Sequence, residues 1–257
     1  MSVLDQIYLR AKENPRKVAF PEAMNEKMMQ AAYETGKEGY IIPVLVGSGS
    51  EIREAARERG YEESVFTIVD ISEEEYKKTL IDKYVALPQT ILKEKALNRR
   101  MQNPLYYAMV MQAVEEADVT FAGIDNTTGD VLLAGQMIIG LKEGISTVSS
   151  IGLCDIPGFS GSEGSLLAIG DSAVCTNPDA NQLADIAISA CDTVRALLEW
   201  EPRCAMVSYS TLGSGQGELI DKVVEAVRLA NEKRPDLAID GEFQFDSAIS
   251  PAVAEKK

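Results

Sequence analysis

Residues 203 to 217 read R-C-A-M-V-S-Y-S-T-L-G-S-G-Q-G, and the reading of this stretch decides the reading of the chain. Cys204, Ala205, Met206 and Val207 form a short apolar run that predicts a buried strand. Ser208, Ser210, Thr211, Gly213, Ser214, Gly215 and Gly217 follow as a loop of small residues. Leu219, Ile220, Val223, Val224, Val227 and Ala230 then keep the spacing of one helix face. Strand, small-residue loop and helix together leave backbone N–H groups at a helix N-terminus, where an anion can sit. The hydroxyls add donors. Two readings stand at this point: the loop holds a phosphate or an acyl phosphate, or Gly and Ser make a tight β–α turn.

Outward from this stretch, composition narrows the field. The chain has 257 residues, 46% of them hydrophobic, enough for one large domain or two small ones. A formal net charge of −15 argues against nucleic acid and anionic membrane as partners, since both require a basic face. The N-terminus carries no basic region ahead of an apolar segment, and no apolar run reaches the ~18 residues of a membrane span, so a soluble cytoplasmic protein is expected. The absence of His removes Ser-His-Asp and Cys-His catalysis and histidine metal sites. A general base must then be Asp, Glu, Lys, Tyr or Cys, unless the nucleophile is already acidic, as a thiol is. Cys154, Cys175, Cys191 and Cys204 show no C-x-x-C spacing, against both zinc and a redox dithiol. Cys191 and Cys204 read as core thiols. Cys154, beside a Gly/Ser loop, is a site candidate or an incidental residue.

Strands and helices alternate over the first half. Strands are predicted at 17–20, 41–46, 65–69 and 119–123, with helices between them, which predicts an open parallel α/β sheet. Gly36 is expected to stop the helix over 23–35, and Ser72 with Glu75 to form a capping box. Lys93, Lys95, Arg99 and Arg100 make the densest basic patch, read as a solvated helix face or as a contact for an anionic ligand. Asn126, Thr127, Thr128 and Asp130 lie in a second polar loop between a strand and a helix, read as a ligand loop or as a helix cap. Gly144 reads as a hinge, giving an N-terminal α/β domain over 1–143 and a second α/β domain over 144–257. Strands at 145–153 and 165–170 suggest a hairpin, and Asn177-Pro178-Asp179 is expected to cap and open a long helix. Asp240, Glu242 and Asp246 near the end of a final strand are acid/base candidates. Alternatively, Asp240-Gly241 is a turn and Asp246 caps a helix over 247–254.

N-P-D-A-N-Q-L-A-D-I-A-I at 177–188, S-Y-S-T-L-G-S-G at 208–215 and E-K-R-P-D-L-A-I-D-G-E-F-Q-F-D-S-A-I at 232–249 carry a resemblance. K-V-A-F-P-E at 17–22, N-P-L-Y-Y at 103–107 and T-T-G-D at 127–130 extend it. The chain resembles the phosphate acetyltransferase and phosphate butyryltransferase family. The resemblance implies a two-domain α/β fold of open mixed sheets with helices on both faces, like the isocitrate and isopropylmalate dehydrogenases, and a homodimer. It implies reversible transfer of an acetyl or other short acyl group between phosphate and coenzyme A. Coenzyme A, acyl phosphate and inorganic phosphate are then substrates, with no permanently bound cofactor and no metal. Leu212 stands where the family usually has Lys, Leu133 where it often has Arg, and the apolar stretch 85–88 where a basic motif is expected. The chain is also expected to lack the family's C-terminal segment, with its Ser-Arg-Gly and a later Asp, so no catalytic residue is nominated. Balancing charge would come from Arg99, Arg100 or another segment. The alternative function is a non-catalytic or truncated member that binds an anionic ligand or a partner chain. A nicotinamide-dependent dehydrogenase is disfavoured, because no Rossmann fingerprint with a ribose-binding acid is present.

Overall fold

In the computed structural model, which describes residues 3–88 and 90–256, the chain divides into two compact units, Met1–Gly140 and Leu141–Lys257. The first unit contains α1 (Val3–Glu13), β1 (Arg16–Phe20), α2 (Glu26–Lys37), β2 (Ile41–Gly47), α3 (Gly49–Glu58), β3 (Thr67–Asp70), α4 (Glu74–Val85), α5 (Glu94–Arg100), α6 (Pro104–Ala113), β4 (Val119–Thr120) and α7 (Thr128–Ile138). Its sheet is parallel throughout, in the order β3-β2-β1-β4. The apolar run of β2 lacks polar alternation because both faces of the sheet are covered. Val18, Phe20 and Leu45 pack with Met28, Met29, Ile52 and Ala56 of α2 and α3. Ala19, Val44 and Val46 pack on the opposite side with Leu80, Tyr84, Leu97, Tyr107 and Ala134 of α4 to α7.

The first unit departs from three local expectations. Helix α2 runs through Gly36 to Lys37, and Gly39 takes the left-handed position, with φ 78°. Gly36 serves packing instead: a Cβ there would lie 2.5 Å from Pro43 Cγ. Ser72 and Glu75 form no capping box, since the N-cap of α4 is Glu73, which makes no side-chain cap bond. Asp70 at the end of β3 captures Ser72 first, accepting from its N–H at 2.9 Å and its Oγ at 2.6 Å. Strand β4 is only Val119–Thr120, because after Phe121 donates its N–H to Ala19 O the chain turns at Gly123, with φ 117°.

The second unit contains β5 (Ile151–Asp155), β6 (Leu166–Gly170), α8 (Ala180–Leu198), β7 (Arg203–Val207), α9 (Glu218–Lys233), β8 (Ala238–Phe243), α10 (Phe245–Ile249) and α11 (Pro251–Ala254). Strands β5 and β6 form the expected antiparallel hairpin, but β5 begins at Ile151, not at Ile145. Ser146 is engaged elsewhere, donating its N–H and Oγ to Asp185. Strands β7 and β8 are parallel, with α9 as their crossover, and Met206, Val223, Val227, Leu237 and Ile239 form a core with Ile188 and Cys191 of α8. The buried strand predicted at Cys204–Val207 is buried only at Met206, because β7 pairs with β8 alone among the described residues. Asp179, not Asn177, caps α8: it accepts from Gln182 N–H while Gln182 Oε1 accepts from Asp179 N–H, both at 2.9 Å. This reciprocal box satisfies two donors at once. Asn177 Oδ1 accepts from Lys222 Nζ instead. The helix expected over 247–254 is two short helices, and Gln244, not Asp246, stands at the N-cap of the first.

Candidate functional site

Strand β7 delivers the chain into the loop over 208–217. Ser208 N–H donates to Phe243 O at 2.8 Å, so the loop starts tied to β8. Its interior is already occupied. The carboxylate of Glu242, a buried residue of β8, accepts from Ser210 Oγ and from Gly213 N–H, each at 2.8 Å. Leu212 N–H donates to Glu242 O at 3.1 Å. Gly215 N–H reaches Ser210 Oγ at 2.9 Å, and Thr211 N–H reaches Ser214 Oγ at 2.9 Å. Thr211 Oγ1 accepts from Gln244 N–H and lies against Ser247 Oγ. The Gly213 amide holds the Glu242 carboxyl below the usual glutamate range, against burial, with help from Ser210. Ser210 and Thr211 are buried, Ser208 is half-buried, and Gly213 and Ser214 are exposed. Leu212 and Gly213 carry the turn, with φ 46° and 85°. The loop then enters α9 through Gly217, which supplies no side-chain cap.

The acids at the strand end do not form one group. Asp240 is exposed and accepts from its neighbour's Gly241 N–H, whereas Glu242 is buried in the loop.

The second polar loop has the same construction. Its central carboxylate belongs to Glu22, a residue to which the sequence reading gave no role. Glu22 follows β1 and accepts from Gly123, Ile124, Asp125 and Asn126 N–H and from Asn126 Nδ2, at 2.7–3.2 Å. Burial alone would raise its pKa. The amides of Ile124, Asn126 and Gly123 and the Asn126 side chain outweigh burial and bring it to about 2. The only trace in the sequence is an acid placed directly after the strand-ending Pro21. Thr127 and Asp130 close a reciprocal capping box on α7, so the loop does form a helix cap, and Thr128 is the first residue of that helix. Strands β2 and β3 lie to one side of β1 and β4 to the other, which makes the C-terminal end of β1 and β4 the topological switch point where open α/β sheets place ligands. A cavity of about 300 Å³ lies there, lined by Lys27, Met28, Ala31, Phe121, Ala122, Gly123 and Ile124.

Cys154 pairs with Leu167 across the β5–β6 hairpin, and Cys191 with Cys204 joins the core of the second unit. Arg100 donates to Tyr106 OH at 3.0 Å and stacks over its ring, while Lys93, Lys95 and Arg99 are exposed. Leu133 on α7 and Leu212 are both exposed. Among the described residues no group of three or more Cys, Asp or Glu is arranged to hold a metal, and no helix is long and apolar enough to cross a membrane.

Fold and loops together define a mixed α/β protein, with parallel strands and flanking helices, whose polar loops stand at strand C-termini. The family model described as phosphate acetyl/butaryl transferase matches residues 2–257. A phosphate acetyltransferase from Clostridium acetobutylicum is 36% identical over 261 residues, an alignment spanning 100% of this chain and 78% of that protein. One from Acetivibrio thermocellus is 36% identical over 259 residues, spanning 100% and 77%. Among solved structures, the EutD phosphotransacetylase from Staphylococcus aureus superposes with a TM-score of 0.85 at 27% identity, covering 99% of this chain and 76% of that one. The chain belongs to the phosphate acetyl/butaryl transferase family.

Proposed function

We propose that the protein transfers a short acyl group, acetyl in the first instance, reversibly between inorganic phosphate and coenzyme A. The family match over residues 2–257 carries this reading. In the forward direction the thiolate of coenzyme A attacks the acyl carbon of the acyl phosphate. The new C–S bond forms, the C–O bond to phosphorus breaks, and the phosphate leaves with the electron pair. A thiol is acidic enough to attack as its thiolate with little base assistance, which suits a chain without His. The protein's task is then alignment and stabilisation of negative charge.

The residues assigned to this task are those of the two loops: Ser208, Ser210, Thr211, Gly213, Ser214 and Gly215, with Asn126, Thr127, Thr128 and Asp130, and Asp240 and Glu242 at the strand end. Ser210 and Gly213 are already held by Glu242. Exchange at Ser210 would therefore disturb the loop itself, as would exchange at Ser214, whose Oγ accepts from Thr211 N–H, and Ser208 is the hydroxyl to substitute when phosphate contact is tested. An isocitrate/isopropylmalate dehydrogenase-like fold, a homodimer and a cytoplasmic location complete the proposal and rest on the family resemblance.

A second reading, a non-catalytic member that binds an anionic ligand or a partner chain, draws on the loop's hydrogen bonds: among the described residues none is to a Lys or Arg, and Leu212 is exposed on the rim. Acetyl, propionyl and butyryl phosphate mixed with coenzyme A separate the two. Thioester formation, followed by absorbance, is expected with at least one of them. No thioester from any, together with calorimetric binding of phosphate or coenzyme A, removes the enzyme reading and leaves the second.

A further inference from the structure

The loop that the proposed reading assigns to phosphate carries an anion of its own. Glu242 accepts from Ser210 Oγ and Gly213 N–H through its carboxylate and from Leu212 N–H through its carbonyl, and Ser210 Oγ accepts in turn from Gly215 N–H. One residue of β8 thereby fixes positions 210, 212, 213 and 215. It also stabilises the left-handed backbone at Leu212, where an L side chain is disfavoured. A phosphate cannot share these donors while the carboxylate holds them, because two anions on one N–H repel each other. Ser208 and Ser214 lie at the rim and are tied to the residues that Glu242 holds: Ser208 Oγ accepts from Ser210 N–H at 3.4 Å, and Ser214 Oγ accepts from Thr211 N–H at 2.9 Å and lies 3.4 Å from Ser210 Oγ.

We propose that Glu242 is a positioning residue of the acyl-phosphate site: it takes the inner donors of the loop and sets the rim hydroxyls of Ser208 and Ser214 to meet the phosphoryl group. This inference rests on the acyl-transfer reading for its substrate. It differs from a role as general acid or base, since the carboxylate faces the loop interior. It also differs from a plug that phosphate must displace.

The test compares Glu242→Gln and Glu242→Ala with the unaltered protein. Inorganic phosphate binding is read by calorimetry, the unfolding temperature by differential scanning fluorimetry, and kcat and KM by thioester formation. Gln keeps an oxygen that can accept from Ser210 and Gly213, so phosphate affinity is expected to stay within about threefold. Ala removes the acceptor, so the KM for acyl phosphate and the Kd for phosphate are expected to rise at least about tenfold, with the KM for coenzyme A unchanged. Tighter phosphate binding by either variant overturns the proposal in favour of a plug. A lowered unfolding temperature with unchanged phosphate affinity and KM overturns it in favour of a merely structural role. Should Glu242→Ala not fold, Ser210→Ala removes one of the ties while keeping the carboxylate, and it is expected to weaken phosphate binding about threefold; no weakening overturns the proposal. Failure of the unaltered protein to bind phosphate overturns it as well. Phosphate binding with these variant effects but no thioester removes the acyl-transfer reading and keeps the role of Glu242.

Discussion

Glu22 is a carboxylate buried among amides, with at least five donors from four consecutive residues. Its folded-state pKa of about 2 lies below the ordinary 4.5. The stabilisation that follows is fully present above the ordinary value and is lost as pH falls from about 4.5 towards 2. A shift of this size corresponds to about 3 kcal/mol. Glu22→Ala is expected to lower the unfolding free energy at pH 7 by about 3 kcal/mol in urea titrations, because it leaves buried donors without an acceptor. The unaltered protein should lose stability between pH 5 and 2 with a steeper slope than Glu22→Gln, and equal slopes would refute the role. This residue was not legible in the sequence. Its donors lie 101 to 104 positions along the chain, and no local pattern announces a partner at that distance. Glu242 was legible as a candidate, but only as an acid near a strand end. That it faces the loop while Asp240 faces solvent is a fact of the folded strand.

At the scale of elements, helix starts separate a true cap from a false one. Asp179 with Gln182, and Thr127 with Asp130, close reciprocal boxes, while Ser72 with Glu75, at the same spacing, does not. Asp179→Ala is therefore expected to cost about 1 kcal/mol, whereas Glu75→Ala stays within about 0.5 kcal/mol, both read as urea midpoints. Equal losses would show that Glu75 caps after all. The spacing rule identifies candidates. Asp70, brought to the end of β3 by the sheet, decides against Ser72 by offering its hydroxyl a charged acceptor. Strand existence was legible for the same reason that strand length was not. Apolar runs mark β1, β2 and β7, but how far β4 extends depends on where Glu22 gathers the amides that follow it.

For the molecule as a whole, each unit has its own core, and the second is fastened by an ion pair whose acid is buried and whose lysine is partly exposed. Asp185 in α8 is fully buried and accepts from Lys233 Nζ of α9 at 2.8 Å, and from Ser146 N–H and Oγ. Its charge is out of water, so removing the cation leaves a burial penalty unanswered. Lys233→Met is expected to destabilise the second unit by about 2 kcal/mol, less than a fully buried pair would cost because Lys233 is partly exposed. Trp200, the only tryptophan of the chain, lies in that unit, so its fluorescence transition should move to lower urea. An unchanged transition would mean that Ser146 alone satisfies Asp185. What the sequence by itself determined is the alternation of strands and helices, the strand–loop–helix at 203–233 and the family, because periodicity and motif spacing are local properties that survive without tertiary contacts. What only the tertiary structure decided is the occupancy of the two polar loops. One read as a phosphate cradle or a tight turn and the other as a ligand loop or a helix cap, and both enclose a carboxylate of the chain itself, Glu242 in one and Glu22 in the other. Those carboxylates reach the amides only when parallel strands distant in sequence are laid side by side, and a buried amide takes whichever acceptor the fold brings within hydrogen-bond reach.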